Sequence, residues 1–561
     1  MKVSVAVILF FFYIFHALAG FSQNASYLIH ADQQYINCDD PVFENIKPGD
    51  TLLFENGNRD FFIIKNFHGS PEKPIIITNS GGVVTIDTDH YFGISIQNCR
   101  YIKITGTGAL DSEYGFMIER VDKGSGMGIG YLSSDFEIDH FSIKNCFTAG
   151  IYAKTDPGCT FTSVRDSFVQ YNTIIHDNYI ENAGLEGMYI GSSKYSGQTI
   201  SCNGKDTLLL PHVLEGVRIY NNTIISSGWD GIQVSSASKD CKIFNNIILY
   251  DSQFETSSQM SGILIGGGTK CDCFNNYIAN GKGEGIEIHG LGGIRVFSNI
   301  ILNAGKTFKP DDLSQLKHGI FVTDVSAQAD SSFIIIHNNI INPKSDGIRF
   351  SSIKSKNNRI ESNVIVNPGN FDYYEDGNTS FKGIDSYMMF QFAGTDVIMK
   401  NNFLDRTVEN AGFISSELSN PADFGLLENS PLIDAADFDN LVRFDFFGVE
   451  RPQGFSSDIG AVEFESHLNF TENIMNKKSA YFLYENPVIE ILKIGSESHI
   501  MGQINITLYD LTGTAVKVNT IPNINIFNQT IQLNISNLIS GLYVYKIHEN
   551  GNTFSGKFIK Q

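Results

Sequence analysis

Two short signals recur along most of this chain: an Asn followed by apolar residues and, further on, a Gly that opens a Gly-apolar-x-apolar run. The Asn falls at Asn178, Asn222, Asn246, Asn276, Asn299, Asn339, Asn363 and Asn402, and the Gly at Gly150, Gly187, Gly231, Gly262, Gly285, Gly319, Gly347 and Gly383. The shortest Asn-to-Asn intervals, 23 and 24 residues, hold two or three short strands and no helix. A unit of that size cannot bury an apolar face alone, but stacked units share one core. The repeat therefore predicts an all-β chain wound as a parallel β-helix. The winding should be right-handed, because parallel strands of one sheet connect with that hand. Asn suits the recurrent turn because it tolerates left-handed backbone and its amide can bond the chain nearby. Stacked in register, such residues would form a ladder.

The composition agrees: Gly supplies 52 of 561 residues, β-branched and aromatic residues are plentiful, and no long amphipathic helical stretch occurs. Residues 1–19 read as a secretory signal peptide, with Lys2, the apolar run Val7-Ile8-Leu9-Phe10-Phe11-Phe12 and the site Ala17-Leu18-Ala19. No other segment is long and apolar enough to span a bilayer. Forty basic against 61 acidic residues give a net charge of −21. The region from Tyr481 onward carries five Lys and five acidic residues, so the acidity belongs to the solenoid, which argues against nucleic acid and anionic lipid as partners. Eight cysteines remain after signal removal, and an oxidising compartment permits disulfides. Cys241 and Cys271 each lie four residues before an Asn-Asn pair and should occupy equivalent places in neighbouring coils, about 4.8 Å apart, where they would pair or stack. Cys271-Asp272-Cys273 has no companion cluster with zinc spacing.

Three stretches near the start, Ile46-Lys47-Pro48-Gly49-Asp50-Thr51-Leu52-Leu53-Phe54, Gly69-Ser70-Pro71-Glu72-Lys73-Pro74-Ile75-Ile76-Ile77 and Val83-Val84-Thr85-Ile86-Asp87, resemble the opening coils of right-handed, pectate-lyase-like β-helix polysaccharide lyases of the chondroitinase B and alginate lyase type. Asn429-Ser430-Pro431-Leu432-Ile433-Asp434 and Asp458-Ile459-Gly460-Ala461-Val462-Glu463 look like the closing segment of exported bacterial β-helix proteins. The solenoid is accordingly expected over 20–465, with a linker over 466–480. From Tyr481 the pattern changes to separate short strands with turn signals, as in a small β-sandwich. The pieces Ile504-Asn505-Ile506-Thr507-Leu508-Tyr509-Asp510-Leu511-Thr512-Gly513, Gly541-Leu542-Tyr543-Val544-Tyr545-Lys546-Ile547 and Gly556-Lys557-Phe558-Ile559-Lys560-Gln561 resemble the C-terminal sorting domain of the type IX secretion system. That resemblance implies the type IX machinery as a partner, and passage through the periplasm to the outer-membrane surface or the medium.

Insertions show where chemistry could sit. Nine residues separate Asn from Gly in three coils, but the interval is longer after Asn246, Asn299 and Asn363, and another insertion, Ser192 to Leu214, leaves the other half of its coil. Such loops would wall an elongated cleft suited to a chain-like ligand. The residue before each Gly forms the series Ala149, Glu186, Asp230, Ser261, Glu284, His318, Asp346 and Lys382. Two places after Gly stand Tyr152, Tyr189, Gln233, Leu264, Glu287, Phe321, Arg349 and Asp385. Glu186 and Asp230 on adjacent coils would lie about 5 Å apart, and Asp230 and Glu284 about 10 Å, near the two carboxyl separations of glycosidases. The same carboxylates could hold Ca²⁺. Alternatively, these turn positions are polar simply because they are solvated. Lyase chemistry needs a base and a cation for the developing enolate, and Lys282, His289, Lys317, His318 and Arg349 are candidates. The chondroitinase B resemblance implies a facing Lys and Arg, which Lys317 and Arg349 would supply. Trp229 would stack on a sugar face or pack half-buried like its apolar equivalents Leu185, Met260 and Phe381. The expected catalytic set is Glu186, Asp230, Glu284, Lys317, His318 and Arg349, with Tyr189, Trp229, Glu287 and His289 contacting substrate. The function expected is binding and cleavage of an extended polysaccharide by lyase or hydrolase chemistry. The competing expectation is a non-enzymatic adhesin, glycan-binding or structural solenoid.

Overall fold

The computed structural model describes residues 24–109, 112–308, 316–369, 386–437 and 441–465, and within 481–560 chiefly the strands. The signal peptide and the linker lie outside the described residues. Each coil runs through three strand positions. The first face is a sheet of twelve parallel strands that includes Met188–Ile190, Ile232–Val234, Ser261–Ile265, Glu284–Ile288, Ile320–Thr323 and Ile348–Ser351. The second face includes Val213–Tyr220, Ala237–Phe244, Cys271–Phe274 and Ile294–Phe297, and the third includes Thr223–Ile225, Ile247–Leu249, Tyr277–Ala279 and Ile300–Leu302. Those two faces join as one 24-stranded sheet bent around the Asn corner. Among the described residues of the solenoid only short 3-10 turns are helical.

Inside the coils, columns of aliphatic side chains stack from rung to rung. On the first face Ile232, Ile263, Ile286, Ile320 and Ile348 are all fully buried, each contributing about 2 kcal/mol by leaving water. The repeat Gly is explained by crowding and not by left-handed backbone: a Cβ on Gly231 would stand 2.5 Å from Ile248 Cγ2 and 2.6 Å from the carbonyl oxygen of Gly262. The rung after Gly347 begins at Tyr387, not at Gly383, since Ile348 N bonds Tyr387 O and Ile348 pairs with Met388. As the last rung of this face it meets no further coil, so its Gly position tolerates a side chain. Lys382, Gly383, Asp385 and Phe381 lie outside the described residues.

The Asn ladder is real, with one change of member. Asn178, Asn222, Asn246, Asn276, Asn299, Asn338, Asn363 and Asn402 form it, each amide accepting from the backbone N–H and Nδ2 of the preceding member. Asn339, expected in that place, opens the third-face strand and accepts from Ala461 N instead. The left-handed residue of the turn is the one before the ladder Asn: Asp177, Asn221, Asn245, Asn275, Ser298, His337, Ser362 and Asn401 all have φ between 49° and 57°. A second, outer ladder, absent from the sequence reading, joins Asn280, Asn303, Asn342 and Asn367 at the next corner.

Beyond the last rung the chain doubles back. Ala411, Phe413, Phe424, Leu426, Leu432 and Ala461 pack on the outer side of the third face, against Tyr277, Ile300, Ile341 and Val364. Arg451 and Glu463 make a buried ion pair of 2.7 Å there. In the C-terminal region one antiparallel sheet carries Tyr481–Leu483, Ile491–Ser496 and Thr530–Asn534, and another carries Ala515–Ile521, Ile504–Asp510, Gly541–Glu549 and Asn552–Lys560. Their inner residues share one apolar cluster.

Candidate active site on the first face

The outward residues of the first face align rung by rung. Tyr152, Tyr189, Gln233, Leu264, Glu287, Phe321 and Arg349 are consecutive register partners, so the row from Tyr189 to Arg349 extends over about 24 Å at the rung spacing. One wall beside it comes from the insertions after Ala153 and Ile190. The hairpin of Gln198–Cys202 and Lys205–Leu209 is tied to the first insertion by the Cys159–Cys202 disulfide, and Arg165 lies over the Tyr195 ring at 4.1 Å. The other wall is the 250–260 loop, held by Trp229 Nε1 donating to Thr256 Oγ1 at 3.1 Å and by Lys282 on Glu255 at 2.8 Å. Trp229 is half-buried, as its apolar equivalents implied.

The pre-Gly side chains are not the solvated groups that turn positions ordinarily carry. Glu186, Asp230, Glu284, His318 and Asp346 are all buried. Burial pushes Glu186 up to about 7, Glu284 to about 8, and Asp251 and Asp346 to about 6. Asp230 is pushed well above the carboxylate range, by burial first and then by the charges of Glu287, Glu186 and Asp251. Both its carboxyl oxygens are buried without a hydrogen-bond partner.

Glu287 behaves oppositely. Burial would raise it, but His289 Nε2 at 2.8 Å from Oε1 and the Ser261 hydroxyl donating to Oε2 at 2.8 Å hold it below the usual range. Its side chain and that of His289 remain 16% and 28% exposed, so this pair is the part of the acidic cluster that a ligand can touch. The register brings Glu186 and Asp230 to adjacent rungs and puts Glu284 two rungs beyond Asp230.

Lys317 and Arg349, expected as a facing pair, each stand beside a carboxylate. Lys317 Nζ lies 3.7 Å from Glu284, and Arg349 lies 3.7 Å from Asp346. His318 between them is buried, accepts from Asp346 N through Nδ1, and is driven well below its ordinary value by burial and both cations. At the opening of the row the Tyr152 and Tyr189 rings meet edge-on at 5.2 Å, with Lys154 Nζ 5.1 and 4.8 Å from their centroids.

Two features lie away from this face. A hollow of about 1000 Å³ opens on the second face, lined among others by Lys103, Glu137, Arg218, Lys242 and Lys560. Beside it Glu137, Asp139 and His176 bring three ligand-type atoms within 4.8 Å of one another. Lys103 Nζ already sits 2.5 Å from Glu137 and 3.3 Å from Asp139. His176 is held at about 10 by Asp177 and Glu137 against the pull of burial. A protonated imidazole beside an ammonium makes a charge network, not a ligand set for a cation.

The acids of the first face make stability depend on pH with a definite sign. A carboxyl whose folded value is raised stabilises the fold fully below its unfolded value, and that contribution is lost as pH climbs to the folded value. Asp230→Asn should therefore gain on wild type as the pH is raised from about 4 to about 8. Thermal melts of both proteins across that range check it; a constant difference contradicts it.

Two regions of the chain match known families. Residues 212–388 match the right handed beta helix region family, and residues 482–561 match the secretion system C-terminal sorting domain. The rod is a right-handed parallel β-helix carrying a type IX secretion sorting domain. The protein is thus delivered to the cell surface or the medium. No helix among the described residues is long and apolar enough to cross a membrane. Among solved structures the β-helix protein is similar to pectate lyase Pel9A (12% identity over 80% of this chain and 98% of that one, TM-score 0.36). It is also similar to a GH136 lacto-N-biosidase from Eubacterium ramulus (11%, 68% of each chain, 0.42). A third is an alginate lyase from Paenibacillus sp. str. FPU-7 (14%, 55% and 93%, 0.33). No curated protein sequence matches this chain.

Proposed function

We propose that this exported β-helix protein is a glycoside hydrolase that cleaves an extended polysaccharide laid along its first face. The observation carrying this reading is Glu287, the acid of the row that a ligand can touch, anchored by His289 Nε2 and the Ser261 hydroxyl, which hold it below the usual carboxylate range. A carboxylate held ionised beside a cleft is suited to act as base or nucleophile in glycosidic bond cleavage. Glu287 takes that role, oriented by His289, while buried Asp230 behind it is pushed toward its neutral form and adds no competing charge. Tyr152, Tyr189 and Phe321 offer ring faces to sugars on either side.

The charge of the row favours a neutral chain over a polyuronate. Lys154 is paired with Asp156 at 2.7 Å, Lys282 with Glu255, Lys317 with Glu284 and Arg349 with Asp346. Among the described residues Glu186, Asp230 and Asp251 show no ion pair at all. A carboxylate-bearing chain would meet committed cations and spare acids, whereas the Glu287–His289 pair and the tyrosine hydroxyls can bond sugar hydroxyls. Incubation with neutral glycans and with polygalacturonate and alginate tests this. New reducing ends from a neutral chain, without ultraviolet absorbance, are expected. Absorbance from an unsaturated product would replace the hydrolase by a lyase, and binding without cleavage would leave a glycan-binding solenoid.

A further inference from the structure

Cys241 and Cys271 are register partners on adjacent rungs of the second face, both buried, and their sulfur atoms stand 2.8 Å apart. Unbonded carbon atoms rest at about 3.5–4.0 Å and sulfur is no smaller than carbon, so two separate thiols do not rest this close. Among the described residues no other two thiols approach so nearly. The Cα separation that disulfides require, about 4.4–6.8 Å, includes the rung spacing of about 4.8 Å. The chain also travels through an oxidising compartment.

We propose that Cys241 and Cys271 are joined by a disulfide in the exported protein. The bond ties the rung that carries Asp230 to the rung that carries Ser261, the residue whose hydroxyl holds Glu287. It therefore fixes the axial spacing beneath the carboxyl groups of the first face. Both S–H bonds break and one S–S bond forms. The S–S bond of a disulfide-bearing oxidoreductase of the cell envelope breaks in exchange, and the two electrons and two protons pass to it, so that it leaves as a dithiol.

Cys273, two residues along the same strand, is not the partner, since its register neighbour is Ile243 and its sulfur accepts from Asn276 Nδ2 at 3.5 Å. Timing follows from burial. A thiol–disulfide exchange needs a reachable thiolate, and burial holds the Cys271 thiol well above its ordinary range. The bond therefore closes while the rungs are still stacking, before the finished rod seals the pair.

The test is peptide mapping of the protein recovered from the medium or cell surface, denatured in iodoacetamide without reductant. A peptide linking Cys241 to Cys271, two hydrogens lighter than its two thiol halves, is expected, together with alkylated Cys273. Alkylation of both Cys241 and Cys271, or a link to Cys273, overturns the proposal. A second reading compares melts with and without reductant for wild type and for the C241S/C271S double variant, which keeps Cys159–Cys202. Reductant should lower the wild-type Tm by about 5 °C more than that of the variant, and equal falls in the two proteins overturn the proposal.

Discussion

Glu287→Gln is expected to lower kcat on a neutral polysaccharide by about 10³-fold while leaving KM nearly unchanged. The amide keeps the shape of the side chain and can still accept from Ser261, so the rung stays packed, but it cannot take a proton or attack a sugar carbon. Its companion His289→Ala should fall less, by about 10²-fold, because the imidazole orients the carboxylate and holds it ionised without replacing it. The pH profile separates the two. In wild type the acid limb should fall below the ordinary carboxylate range, set by Glu287. In His289→Ala that limb should move to higher pH, since the largest influence holding Glu287 down is gone. Unchanged kcat in Glu287→Gln, measured by reducing-end release, would remove Glu287 from the mechanism.

Asn338→Ala should cost about 4 kcal/mol of stability, whereas Asn339→Ala should cost about 1 kcal/mol. Asn338 Nδ2 donates to Val296 O, Ile336 O and Asn363 Oδ1, its backbone N–H donates to the same Asn363 oxygen, and its own Oδ1 accepts twice from Asn299. Truncation leaves several buried groups unsatisfied on three consecutive rungs. Asn339, one position later, accepts a single bond from Ala461 N. Chemical denaturation of the two variants checks the ranking. A larger loss for Asn339→Ala would mean that the ladder is not what holds the corner.

These residues also show what the sequence made legible. The ladder was readable because its members repeat with a fixed partner: nine residues separate Asn178 from Gly187, Asn222 from Gly231 and Asn276 from Gly285. That spacing also selects Asn338, nine before Gly347, over Asn339, and so would have settled the ambiguity of Asn338-Asn339. The in-register Cys241 and Cys271 followed from the period.

The burial of the pre-Gly acids was not legible. It depends on loops from other rungs, such as the segment around Thr256 and Lys317, whose course no period encodes. Nor could spacing reveal that His289 would anchor Glu287, or that Lys317 and Arg349 would each be taken by a neighbouring carboxylate. Cys159 and Cys202 lie in insertions without periodicity, so nothing in their spacing announced a bond. The outer Asn280, Asn303, Asn342 and Asn367 column was present in the sequence as an Asn four places after a ladder member and went unused.

The returning segment has a mechanical consequence. Gly460 and Ala461 bond the rungs at Ser362 and Asn339, so the chain leaves the rod from its flank and not from its final turn. Traction on the segment that follows would enter sideways, through the rungs of Ser362 and Asn339 together. Such loading strains many bonds in parallel, and the last coils are spared being unzipped one after another.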